Sequence, residues 1–146
     1  MKRLGIYFFF DKDGIVDKYV DYVLEDLTKH VDKLIVVCNG QLNERGRKTF
    51  EKFTGNIIVR ENKGFDVWAY KTAIDSEGWN KLIEYDEIIL MNYTIMGPVY
   101  PLKEMFDIMD KRLELDFWGI TKCFQENSPV AQQIWQCPYG YIPEHI

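Results

Sequence analysis

Between Arg60 and Lys71 the chain sets a guanidinium, an amide, an ammonium, a glycine and a carboxylate within one short stretch, Arg60-Glu61-Asn62-Lys63-Gly64-Phe65-Asp66-Val67-Trp68-Ala69-Tyr70-Lys71. The apolar run Asn56-Ile57-Ile58-Val59 before it reads as a strand, and Lys71-Thr72-Ala73-Ile74 after it reads as helix. At such a junction a glycine allows left-handed backbone angles and close approach to a ligand. The helix behind it offers free N–H groups and a positive dipole end to an anion such as a diphosphate. The same residues also describe a connecting turn in which a solvated aspartate caps the helix. On these residues alone both readings stand.

The elements on either side decide what this stretch meets. Leu4-Gly5-Ile6-Tyr7-Phe8-Phe9-Phe10 is a strand apolar on both faces, closed by Asp11-Lys12-Asp13-Gly14. Val16, Tyr19, Val20, Val23, Leu24 and Leu27 then recur as one apolar stripe of a helix. Leu34–Cys38 is a second buried strand ending at Asn39-Gly40, followed by a helix over about 43–53 with Phe50 and Phe53 inward. Ile57–Val59 is the third strand. Trp68, Ala69, Ala73 and Ile74 suit the core side of the next helix, and Trp79, Leu82 and Ile83 form a short helical piece after Gly78. Glu87–Met91 is the fourth strand; Leu102, Met105, Phe106, Met109 and Leu113 repeat at helix spacing; Leu115–Thr121 is expected as a fifth strand. Strands apolar throughout, alternating with helices, predict an α/β fold with a mainly parallel sheet covered on both faces, Rossmann-like, in one domain over 1–146.

In such a sheet ligands bind beyond the carboxyl ends of the strands. That rule would gather Asp11, Asp13 and Gly14; Asn39 and Gly40; Arg60, Asn62, Lys63, Gly64 and Asp66; Asn92 and Thr94; and Thr121 with Lys122 at one edge. Arg60, Lys63 and Lys122 among carboxylates and amides would suit a nucleotide diphosphate. Asp11 and Asp13 also have the chemistry to shape their own turn. The net charge of −5 argues against duplex nucleic acid as a partner. No GxGxxG follows the first strand, and neither GxxxxGK[ST] nor GxSxG occurs. Cys38, Cys123 and Cys137 form no CxxC pair, and with only His30 and His145 beside them they predict reduced structural thiols rather than zinc. The helix-end position of His30 suggests a capping cation. Apolar runs are too short to span a bilayer and Met1-Lys2-Arg3 leads into no signal peptide, so a cytoplasmic protein is the expectation.

One ordered pattern runs through these elements: Arg60-x-Asn62-x-Gly64-x-Asp66-x-x-x-Tyr70-Lys71, then Tyr85-Asp86-x-Ile88-x-x-x-Asn92, then Gly97-Pro98, then Asp116-Phe117-Trp118-Gly119-Ile120-Thr121. With its aromatic first strand and Asp11-x-Asp13-Gly14, the chain resembles the rhamnan synthesis protein F family of bacterial glycosyltransferase-like proteins. The resemblance implies a nucleotide-sugar fold of the glycosyltransferase A type. It also implies transfer of rhamnose or a related sugar from a deoxythymidine-diphosphate donor to a polysaccharide or lipid-linked acceptor, in peripheral association with the inner face of the cell membrane. Asn62, Gly64 and Asp66 would line the nucleotide pocket, Tyr70 and Lys71 would buttress it, and Asn92 and Thr94 would sit where the diphosphate and a Mg²⁺ or Mn²⁺ ion meet the protein. Where the family reads Asn-Asp-Ser this chain has Asn92-Tyr93-Thr94, which removes a hard oxygen ligand. Asp116 is the carboxylate nearest in kind to an acceptor base. The family continues beyond the position of Ile146 into an acceptor-binding half, so a donor-binding part is expected here. A non-catalytic assembly or regulatory domain of the same fold is the competing expectation.

Overall fold

In a computed structural model the described residues are 1–120. Met1–Ile108 is one compact unit, and the residues from Met109 onward belong to a second. Four strands build the first unit: β1 (Arg3–Asp11), β2 (Lys33–Gly40), β3 (Ile57–Arg60) and β4 (Glu87–Asn92). They lie in the order β3-β2-β1-β4, and every pair is parallel. Each crossover carries helix: α1 (Lys18–Leu27), α2 (Glu44–Glu51), then α3 (Phe65–Glu77) with the single turn α4 (Trp79–Leu82). The expected mainly parallel α/β architecture is therefore what the chain forms.

β1 and β2 are central because their sequences are apolar at consecutive positions, which is what a strand covered on both faces requires. Successive side chains point to opposite faces. Leu4, Ile6 and Phe8 of β1 join Ile35 and Val37 of β2 in a core closed by Ala69 and Ala73 of α3 and by Leu82. Tyr7 and Phe9 point the other way, and both rings meet Phe50 of α2, at 6.5 and 5.3 Å. Asn43 caps α2 by accepting a hydrogen bond from the Gly46 N–H at 2.7 Å, as an asparagine at that position should. Gly46 leaves no room for a Cβ, which would lie 2.8 Å from Val16, so the β1–α1 connection and α2 lie against each other. Asp21 of α1 and Lys52 after α2 pair at 3.1 Å.

The last helix among the described residues, α5 (Leu102–Met109), begins with the Leu102 N–H donating to Asp26 of α1 at 2.7 Å. Its Phe106 ring lies 4.9 Å from that of His30 and 4.5 Å from the Arg3 guanidinium. His30 thus packs on an aromatic face, and Thr28 ends α1 instead. In the second unit, 110–120 forms turns and bends, with Leu115 N–H donating to the Arg112 carbonyl at 3.1 Å. The expected fifth strand is absent over 115–120, and Thr121 lies outside the described residues. An apolar run with β-propensity becomes a strand only when a neighbour supplies the ladder, and the four-stranded sheet β3-β2-β1-β4 does not include 115–120. Trp68, expected in the core, is 58% exposed.

At the amino edge of the sheet, Glu77 is buried between the Lys33 ammonium at 2.5 Å and the Tyr85 hydroxyl at 3.1 Å. The hydrogen bond from Lys33 holds the Glu77 carboxyl below its ordinary range, while Glu77 and burial raise the Tyr85 phenol. A depressed carboxyl stabilises the fold above its unfolded pKa, near 4.5, and that contribution disappears as pH falls through the folded value. Thermal unfolding from pH 7 down to pH ~3 is expected to show a smaller loss of stability for Glu77→Gln than for wild type, with Glu77→Gln the less stable at neutral pH. Parallel curves would show that this pair does not govern the acid limb.

Candidate functional site

The strand order reverses direction between β1 and β4: the chain steps outward through β2 and β3, then returns to the other side of β1. A crevice at the carboxyl ends of the strands is expected at such a point. Phe8 pairs with Asn92 in register at the end of β4, and β1 runs on past it to Asp11.

The stretch after β3 is tied to the strand ends on both sides. Asn39, at the end of β2, is fully buried. Its Oδ1 accepts from the Arg60 guanidinium at 2.7 Å, and its Nδ2 donates to the Phe65 carbonyl at 3.1 Å and to Asn62 Oδ1 at 3.4 Å. Arg60 also donates to the Lys63 carbonyl at 2.9 Å. At the end of β4, Asn92 Nδ2 donates to Asp66 Oδ2 at 3.1 Å, and Asn92 Oδ1 accepts from the Thr94 N–H at 3.1 Å. Asn62, Gly64, Asp66 and Asn92 therefore share one rim, as the strand-end rule requires.

The turn itself is left-handed at two residues in succession. Gly64 has φ +69°, and a Cβ there would lie 2.2 Å from the Trp68 ring, so glycine is required twice over. Phe65 follows with φ +53°, an unusual conformation for a bulky residue that costs on the order of 1–3 kcal/mol. The first N–H groups of α3 lack carbonyl partners within the helix, and the Val67 N–H donates to Asp66 Oδ1 at 2.9 Å. Burial pushes the Tyr70 phenol up, and the Asp66 carboxylate adds to the effect, so this hydroxyl stays protonated across the physiological range. Tyr70 and Tyr93 both pack edge-on against Phe8, at 6.4 and 5.5 Å.

The other expected residues divide by what holds them. Asp11 Oδ1 accepts from the N–H groups of Asp13 and Ile15, at 2.9 and 2.8 Å, so one carboxylate oxygen shapes the turn after β1. Arg60, read from sequence as a diphosphate contact, directs one guanidinium nitrogen inward to Asn39 and the Lys63 carbonyl. Lys63 is exposed and lies 2.8 Å from Glu61, and Lys71 pairs with Asp75 one turn along α3. Thr94 is exposed at the mouth. Asp116 occupies an exposed bend in the second unit instead of a strand end. Lys122 lies outside the described residues. Sequence reasoning missed Phe65, because a positive φ at a phenylalanine has no compositional signal.

The family resemblance implies a divalent cation. Among the described residues no three of His, Cys, Asp and Glu come together. Both Asp66 oxygens already accept hydrogen bonds. Tyr93, at the place of the missing carboxylate, turns its ring onto Phe8 and Phe9 while its carbonyl accepts from Tyr19 at 2.8 Å. These residues do not fit a hard cation, which favours several carboxylate or carbonyl oxygens.

A protein-family model described as Rhamnan synthesis protein F matches residues 34–146. The matched span runs from the second residue of β2 through α5 and includes Asn39, Arg60, Asn62, Gly64, Asp66 and Asn92, while Asp11, Asp13 and Gly14 lie before it. Comparison with curated proteins gives no match, and neither does comparison with solved structures.

Replacing Arg60 by alanine should leave the buried Asn39 Oδ1 without its donor and cost about 1–3 kcal/mol. Lys63→Ala, which removes only an exposed ion pair, should cost little. Urea unfolding of the two variants checks this; equal midpoints would show that the Asn39 bond carries no stability.

Proposed function

The chain belongs to the rhamnan synthesis protein F family, and on that footing we propose that its α/β unit binds the diphosphate of a nucleotide sugar at the crevice between β1 and β4. The reading extends to transfer of the glycosyl group to a polysaccharide or lipid-linked acceptor, with deoxythymidine-diphosphate rhamnose as the model donor. The observation that carries it is the Asp66–Asn92 hydrogen bond, which joins the start of α3 to the tip of β4 at the edge where such sheets take ligands. Rim backbone N–H groups, the Asn62 and Asn92 amides and the Lys63 ammonium supply donors of the kind a diphosphate accepts. Leaving-group charge would be stabilised by these donors as the glycosyl bond breaks. The described residues assign no acceptor base.

Tyr93 favours a second reading, a non-catalytic member of the same fold, because its ring is committed to the aromatic cluster of β1. Calorimetry with deoxythymidine diphosphate and uridine diphosphate, in chelator and in Mn²⁺, tests the binding claim. Nucleotide binding by the wild type, little changed by chelator and weakened about tenfold or more in Asp66→Ala, is the expected outcome. Equal affinity in Asp66→Ala would remove the assignment. A turnover assay, run beside the binding assay, separates the readings: binding without transfer supports the second.

A further inference from the structure

Phe65 is hard to explain by folding alone. It is the one non-glycine residue with positive φ among the described residues, and its side chain is 80% exposed. A strained residue usually persists because burial or function offsets it, and here burial does not. The strain is nevertheless held from below: the buried Asn39 amide grips the Phe65 carbonyl, and Arg60 grips Asn39. Trp68, three residues along the same helix, is also exposed and lies against Gly64. The buried clamp therefore fixes a backbone whose effect is to hold one apolar ring in solvent beside Asp66.

We propose that Phe65 is the stacking platform for the base of the bound nucleotide, an inference that rests on the binding reading above. A phenylalanine ring offers no hydrogen bond, so it does not suit a sugar hydroxyl or a phosphate. It does suit the face of a planar, uncharged heterocycle, for which aromatic stacking is an effective and sequence-tolerant contact. The rim around it mixes Glu61, Lys63 and Asp66, so charge alone gives a nucleotide little net attraction, and a stacked base adds affinity that charge does not. Phe65 and Asp66 are consecutive at the start of α3, and a nucleotide diphosphate is long enough to span both. Phe65 would thus set the preference for nucleotide over free diphosphate.

The test uses Phe65→Gly and Phe65→Trp, with uridine diphosphate, deoxythymidine diphosphate and inorganic pyrophosphate as probes. Phe65→Gly relieves the positive φ, so its unfolding midpoint should be unchanged or higher, while nucleotide affinity falls roughly tenfold, the size of one lost base stack. Pyrophosphate, which has no base, should bind both proteins alike. Phe65→Trp should keep nucleotide affinity. Equal nucleotide affinity in wild type and Phe65→Gly overturns the inference and leaves the binding reading intact. An equal fall for nucleotide and pyrophosphate also overturns it, because the ring would then support the site as a whole. Wild type that binds no nucleotide removes the binding reading, and the stacking role with it.

Discussion

A single buried amide organises the carboxyl edge of this sheet. Asn39 follows the apolar run Leu34–Cys38 near the end of β2, and it lies where an unpaired polar group would be costly. The fold satisfies it with Arg60 from the end of β3, the Phe65 carbonyl at the start of α3, and Asn62 between them. Those bonds determine where the β3–α3 turn can go. The same turn brings α3 in beside that tether and Asp66 to within 3.1 Å of Asn92.

The sheet order gives the tether its significance. With β1 central and β4 on its far side, the crossover through α3 must pass over the face opposite α1 and α2. Ala69 and Ala73 let α3 sit close against β1 and β2 on that face, and larger side chains there would push it away. The start of α3 therefore arrives at the carboxyl ends of the strands, with Phe65 bonded to Asn39 of β2 and Asp66 to Asn92 of β4. On the opposite face the burden falls on aromatics, with Phe50 meeting Tyr7 and Phe9. Burial in that layer pushes the Cys38 thiol up to about 12, which keeps it protonated and unreactive.

Most of this architecture was legible in the residues. Four apolar runs of strand length, the stripe from Val20 to Leu27, and Asn43 and Gly64 at helix starts are local signals with local causes, and the structure follows them closely. The gathering of Asn62, Gly64, Asp66 and Asn92 was legible too, because parallel connectivity forces strand ends to one edge. Three things were not. Leu115–Ile120 has the composition of a strand, but strand formation depends on a partner that the residues themselves do not name. Trp68 looked like core because hydrophobicity does not distinguish a ring beneath a helix from one lying over a glycine. Asn39 and Arg60 looked like ligand contacts, whereas each is held within the protein; polar residues at strand ends serve both purposes, and only geometry separates them.

The central claim is that the β1/β4 opening, framed by Asp66 and Asn92, is where a nucleotide diphosphate binds. Backbone amide shifts on titration with deoxythymidine diphosphate test it most directly. The account predicts changes concentrated at Asn62 to Val67 and Asn92 to Thr94, with the amino edge around Asp32 and Glu84 to Glu87 unmoved. Changes centred on that opposite edge, or none at saturating nucleotide, would contradict it.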